Sequence, residues 1–387
     1  MLRHFEQQEG GVKVYTKSVL PKLFALGGSH RYVLIYQNPK LIGTYASYPN
    51  VEEVAVEIPG TVLWDQIAVP WIARKMRLDL IFNPKITIPF FTTAKKVYVV
   101  HGAEKFAVPE QFPRLDRWYF RLLMPLYCRY ADAVVSVTET VKVAVVKHLH
   151  ADPRKVFAIN NGYDATLFRP TDDPQRLRDI RTRYRLPERF ILWAGQFEPR
   201  KNVPRLLRAF AAIRAKFPHM LVLAGGQRGN PRSELKVIDE LGLADRVIFP
   251  GWIPHADLPA VYALADLFVF PSLHEGFGIP LLEAMACGCP IVTANTGSPP
   301  EVVAGAARLV DPLQIDSIAD GMEAVLSEHA LKTDMIARGL VRAKDYSWDK
   351  CAAELLAMLD SLDEQLHTVD QVGRIDLRQS NLPSNST

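Results

Sequence analysis

Two successive series of short β-branched runs, each alternating with helical patterns, constrain this chain to an α/β architecture more tightly than any other feature. In the first half, RYVLIY (31–36), DLIF (79–82), KKVYVV (95–100), DAVVSVT (132–138) and KVFAIN (155–160) read as buried parallel strands. The second half repeats the rhythm with RFILWAG (189–195), MLVLAG (220–225), RVIFPG (246–251), DLFVFPS (266–272) and CPIVTAN (289–295). Helical patterns such as 204–216 and 280–287 lie between the strands. This alternation gives doubly wound sheets with helices on both faces. Two such units in series predict a cleft between them, faced by the loops at the strand C-termini. A length of 387 residues agrees, because it exceeds what one hydrophobic core usually serves.

The joint is expected near 165–188, where the chain is charged, proline-punctuated and poor in apolar residues. The expected units are therefore 1–170, with a first strand that is missing or reduced to Leu2–Phe5, and 186–346. A helix over 347–367 and a polar, turn-rich, disordered tail over 368–387 complete the reading.

Several classes are disfavoured at once. No apolar run approaches the roughly 18 residues a membrane span needs, and MLRHFEQQEGG lacks the apolar stretch of a signal peptide. The four cysteines are too few and too irregular for a disulfide framework, and Cys287-Gly288-Cys289 is not a zinc spacing. A cytoplasmic location follows as the expectation. The formal charge of +4 hides an asymmetry: residues 1–189 carry 28 Lys+Arg against 18 Asp+Glu, whereas 190–387 carry 18 against 24. A basic half joined to an acidic half points to one domain facing an anionic partner. No nucleic-acid module is recognisable, so a membrane surface or a phosphate-linked acceptor is the better fit.

The chemistry concentrates in PSLHEGFGIPLLEAMACGCPIVTANTGSPPE (271–301). A strand ends at Phe270 and opens into the loop His274-Glu275-Gly276-Phe277-Gly278-Ile279, and Pro280 is read as the first residue of a helix that Gly288 stops. The glycines allow a ligand close to the backbone, and free N–H groups with the helix dipole favour an anion there. Glu283, read into the first helical turn, suits the vicinal hydroxyls of a ribose, and Glu275 suits whatever hangs beyond the phosphates. A bland reading, a tight turn with a solvated carboxylate, would hold for one glycine pair alone. A second cluster, Gly195 to Asn202, follows the strand FILWAG, and its adjacent Arg200 and Lys201 could neutralise a diphosphate leaving group.

Glu275 and Glu283 have the E-x7-E spacing, and Glu198-Pro199-Arg200-Lys201-Asn202 is the loop of one large branch of the same family. From Gly10-Gly11 to Ser347-Trp348 the chain resembles a family 4 glycosyltransferase of the two-Rossmann GT-B architecture. The resemblance implies a retaining hexosyltransferase with an acceptor-binding first domain and a nucleotide-sugar-binding second domain. It implies that Arg200 and Lys201 hold the donor diphosphate, assisted by the backbone of Phe277, Gly278 and Ile279. Glu283 would bind the ribose, Glu275 the transferred sugar, and Trp252 and Ile253 the base. Gly10 and Gly11 match the glycine loop near the phosphates and acceptor, and His101 matches a histidine that contacts the reacting sugar. The family's EPRKN-type loop favours GDP-mannose, then a UDP-hexose, with no cofactor.

No Asp-x-Asp pair occurs in the chain, which fits a reaction without a divalent metal. The chain departs from its relatives at Gln196, where many carry a basic residue, at Gly102, often Asp, and in its short beginning. Two other readings stay open: an isomerase like UDP-GlcNAc 2-epimerase, for which no clear set of additional acid/base residues is found, and a nucleotide-sugar binder with weak catalysis.

Arg114, Arg117 and Arg121 share one face of an expected helix with Trp118, Tyr119 and Leu122 beside them. Such a face can lie on anionic lipid, or its aromatics can be core and its arginines solvated. The expected acceptor is a glycan or polyprenol-linked saccharide of envelope polysaccharide assembly, with peripheral contact at the inner face of the cell membrane.

Overall fold

The computed structural model describes residues 1–3, 10–103, 114–226 and 232–362. The tail expected beyond residue 367 lies outside them. All sheet pairing is parallel, as the apolar runs require.

In the first domain, helix α1 (Gly11–Leu26) precedes strands β1 (Tyr32–Tyr36) and β2 (Val51–Ala55), which pair with each other. Helix α2 (Val69–Lys75) leads to β3 (Leu80–Asn83) and β4 (Lys95–Val100); α3 (Arg114–Tyr130), β5 (Ala133–Ser136), α4 (Glu139–Leu149) and β6 (Val156–Ala158) follow. Strands β3 to β6 pair in sequence order. Among the described residues, Met1 and Leu2 bridge β1 and β3: the Leu2 amide donates to Ile35 O and the Met1 amino group to Phe82 O, both at 2.8 Å. Beside them a cavity of about 250 Å³ is lined by β1, β3 and α1 residues together with Leu356 and Leu359.

Helix α5 (Pro174–Arg183) occupies the charged joint, capped by the Asp173 carboxylate. The second domain runs β7 (Phe190–Ala194), α6 (Val203–Ile213), β8 (Met220–Ala224), α7 (Arg232–Leu241), β9 (Val247–Gly251), α8 (Leu258–Leu264) and β10 (Leu267–Phe270). It continues through α9 (Ile279–Ala286), β11 (Ile291–Ala294), α10 (Pro299–Val303), β12 (Arg308–Val310), α11 (Ile315–Ser327) and α12 (His329–Ala343). The six strands are ordered β12-β11-β10-β7-β8-β9. Every residue of β7, β10 and β11 is buried, which is why these segments read as unbroken apolar runs.

A last helix, α13 (348–362), returns to the first domain. Its Leu355, Met358 and Leu362 share one core with Leu20, Leu23 and Phe24 of α1. Asp349 pairs with Lys22 at 2.6 Å and Asp360 with His30 at 2.9 Å. The chain therefore crosses between domains twice. Among the described residues no helix is long and apolar enough to cross a membrane.

Candidate active site

The second sheet reverses its build direction between the adjacent strands β7 and β10, and ligands of open α/β sheets bind outside such switch points. Arg200 and Lys201 follow β7; Glu275 follows β10. The turn Pro199–Lys201 ends at Asn202, which is left-handed at φ 62°. The buried Asn202 amide donates to Pro271 O at 3.0 Å and Pro312 O at 2.7 Å, and the Leu273 amide donates to Arg200 O at 2.8 Å. These bonds tie the two loops into one surface.

On that surface three charges meet. Lys201 Nζ lies 2.6 Å from Glu275 Oε1, and Arg200 Nη1 lies 3.1 Å from Glu275 Oε2. Arg200 Nε also donates to Glu198 Oε2 at 2.8 Å, and Lys201 Nζ sits 4.6 Å from the centre of the Phe270 ring. Burial pushes the Glu275 carboxyl upward, but the charges of Lys201 and Arg200 outweigh it and bring its pKa to about 2. Burial lowers the Lys201 ammonium, and the Glu275 carboxylate opposes that shift. Cations so little hydrated stabilise developing negative charge far better than the same groups in water.

Helix α9 begins at Ile279 after Gly278, which is left-handed at φ 91°. Pro280 therefore occupies the second helical position and Glu283 the fifth, one place past the first turn expected from sequence. Glu283 is buried, with Oε1 3.1 Å from His255 Nε2, and its Oε2 accepts from the Tyr262 hydroxyl at 3.3 Å. The bond to Glu283 raises the His255 pKa against the opposing effect of burial. Sequence reasoning missed both partners. His255 follows the Trp252-Ile253 pair by two residues, a proximity that offered the one local signal. Trp252 and Ile253 separate: Trp252 is 48% exposed, whereas Ile253 is core.

The first domain meets this loop at His101. A Cβ on Gly276 would overlap the carbonyl oxygen of His101, so only glycine permits that approach. His101 Nε2 lies 2.7 Å from Pro84 O, and its ring stands edge-on to Tyr15 at 5.0 Å. Donation to that carbonyl leaves Nδ1 unprotonated, as an acceptor. Burial lowers the imidazole pKa to about 4, so the ring is neutral near pH 7. Gly10, at φ 119°, caps α1, and a Cβ on Gly11 would touch Ile279 Cδ1 at 4.0 Å. Phe277 is buried edge-on to Tyr346 at 5.7 Å, so that its backbone remains the part able to serve a ligand. Thr138, Ser298 and Glu301, none of them singled out from sequence, bond across the same junction. Among the described residues no group of three or more His, Cys, Asp or Glu could hold a metal ion.

Comparison with known proteins matches each half to a family: residues 9–167 to Glycosyltransferase Family 4 and 178–341 to Glycosyl transferases group 1. The chain is 28% identical over 292 residues to the O-antigen chain mannosyltransferase B of Escherichia coli, covering 74% of this chain and 75% of that one. It is 30% identical over 226 residues to the serotype-specific mannosyltransferase WbdA of Escherichia coli, covering 57% of this chain but only 28% of that protein. In fold it resembles Anabaena HepE, solved with UDP and glucose, at a TM-score of 0.73 and 21% identity, covering 92% and 97% of the two chains. With both halves matched and their cleft carrying this cluster, the chain belongs to the group 1, family 4 glycosyltransferases, hexosyl-transferring enzymes of the GT-B architecture.

Proposed function

We propose that this glycosyltransferase moves mannose from GDP-mannose, with retention of configuration and without a divalent metal, to a glycan or polyprenol-linked saccharide of envelope polysaccharide. The observation that carries this reading is the Arg200–Glu275–Lys201 cluster at the switch point, with Glu275 one residue before Gly276, whose backbone abuts the carbonyl of His101. The mannosyltransferase relatives support the sugar, and a UDP-hexose donor, as in the HepE structure, is the next choice.

The donor diphosphate lies at Arg200 and Lys201 and at the start of α9, where the amides beyond Gly278 add an anion-binding dipole. Arg200 exchanges its Glu198 contact for phosphate oxygen, and Glu275 accepts hydroxyls of the sugar. Glu283, set by His255 and Tyr262, takes the ribose, and the exposed Trp252 ring offers a face for the base. His101 accepts a sugar hydroxyl through Nδ1. The acceptor hydroxyl then attacks the anomeric carbon on the face the diphosphate leaves. The new C–O bond forms as the C–O bond to phosphate breaks, and the hydroxyl proton passes to the departing phosphate oxygen. Positioning and neutralisation of the leaving group supply the rate, with the two cations in the part a metal plays elsewhere.

The test is a thermal-shift panel of GDP, UDP, ADP, GDP-mannose and UDP-glucose, with and without EDTA. Selective stabilisation by the guanine ligands that EDTA leaves unchanged is the expected result. Selective response to a uridine ligand overturns the base, and no response to any ligand overturns the site.

A further inference from the structure

We propose that the exposed face of α3 is a docking surface for an anionic phospholipid bilayer. Trp118, Leu122, Leu126 and Tyr130 recur every fourth residue and form a continuous stripe. They are 64%, 59%, 40% and 53% exposed, although the opposite face of the same helix buries Met124, Tyr127 and Cys128 in the core. The aromatics beside the arginines are thus not core, which removes the bland alternative for Trp118; the Tyr119 side chain lies outside the described residues. Phe91, 82% exposed, extends the patch, because its neighbour Phe90 stacks on Tyr127 at 5.2 Å and meets Tyr130 edge-on at 5.5 Å.

The charge around the stripe decides the occupant. Arg114, Arg121 and Arg129 are exposed; at about 3.6 residues per turn Arg129 falls within the apolar stripe, and Arg114 and Arg121 run along its edge beside Trp118. A protein partner would have to bury or pair those guanidinium groups. A bilayer accepts both at once: rings and leucines enter the headgroup boundary while the arginines stay at the phosphates. The surface belongs to the half of the chain that carries 28 Lys+Arg against 18 Asp+Glu. It is also connected to the cleft, because the loop that presents Phe90 and Phe91 starts at Pro84, whose carbonyl holds His101. Docking through α3 would therefore present the acceptor side of the enzyme to a lipid-anchored substrate.

Flotation of the full chain with vesicles tests the assignment, using phosphatidylcholine alone and phosphatidylcholine mixed with phosphatidylglycerol. The wild type is expected to favour the anionic vesicles by about tenfold or more, and to release as salt rises. Trp118→Ser with Leu122→Ser should weaken that binding by about tenfold, and Arg121→Glu with Arg129→Glu should erase the preference for phosphatidylglycerol. Both variants should keep the wild type's thermal response to nucleotide, which separates this surface from the donor site. Equal binding to both vesicle types overturns the proposal, as does wild-type binding by both variants. Self-association that both variants abolish, without vesicle binding, would make the face a protein interface and also overturn it.

Discussion

Gly276 and His101 belong to different domains, yet the backbone of one lies so close to the carbonyl of the other that no side chain fits between them. The same residue of the donor loop accepts a hydrogen bond from Thr138 Oγ1 at 3.2 Å. The loop carrying Glu275 is thereby registered against the first domain by a backbone contact and by the buried, short Thr138 hydroxyl rather than by long flexible side chains.

Gly276→Ala forces the domains apart at that point, because backbone atoms cannot yield as a side chain end would. Turnover per unit KM should fall by about 100-fold, the usual cost of a displacement near 1 Å at a reacting centre. Nucleotide binding, which the proposed function assigns to the second domain, should change little. A variant with wild-type kcat/KM would refute the idea that this contact sets the geometry.

Lys201→Met removes one of the two charges that the proposed mechanism sets against the leaving group. A loss of roughly 100- to 1000-fold in kcat is expected, with about 2 kcal/mol of stability lost because Glu275 keeps only Arg200. Adding Glu275→Gln should restore much of the stability and none of the activity. Steady-state kinetics and urea unfolding on the four members of this cycle separate the roles, and additive stability changes would argue against a coupled pair.

His101 gives the stability a pH signature. Its folded pKa is near 4, against about 6.5 in an unfolded chain, so the unfolded state binds more protons between those values. Stability should therefore be intact above pH 6.5 and decline as pH falls towards 4, by on the order of 3 kcal/mol from this group. Glu275, depressed to about 2, loses its contribution lower, between roughly pH 4.5 and 2. Unfolding of His101→Gln across pH 4 to 7 should show a flatter slope than the wild type. Identical slopes would mean that another group titrates there.

Much of this was readable in the residues, and the failures have physical causes. Buried strands such as β7 and β10 announce themselves because both faces are covered. Strand β2, VEEVA, has no fully buried residue and two adjacent glutamates, so its sequence carries no such signal. The three-residue β12 exposes Arg308 and Leu309 and was equally silent. The donor loop was legible because glycine, proline and carboxylate needs coincide within ten residues. His255 and Tyr262 were not, because they reach Glu283 from 28 and 21 residues away, from the loop before α8 and from α8 itself. The exposure of Trp118 could not be read either: an amphipathic pattern shows that two faces differ without saying which one a domain covers.

Glu301 reaches across the cleft to cap a helix of the other domain. Its Oε1 accepts from the Glu139 amide at 2.9 Å, and its Oε2 accepts from the Thr140 amide at 2.8 Å and hydroxyl at 2.6 Å. Thr138, the cap residue of α4, accepts from the Val141 amide at 3.1 Å and lies 2.8 Å from Ser298 Oγ. With Thr138 donating to Gly276 O, the Ser298 hydroxyl becomes the donor to Thr138, and every partner is satisfied. A carboxylate at a helix N-terminus gains from both the free amides and the helix dipole, and charged hydrogen bonds of this kind contribute about 1.5–3 kcal/mol. Glu301→Ala should therefore loosen the domains without touching the donor site. A larger radius of gyration in solution scattering and about a tenfold loss in kcat/KM are expected, with nucleotide-induced stabilisation retained. If scattering and kinetics both match the wild type, the Glu301 clamp is dispensable, and the Gly276–His101 and Thr138–Ser298 contacts, α13 and the linker hold the domains together.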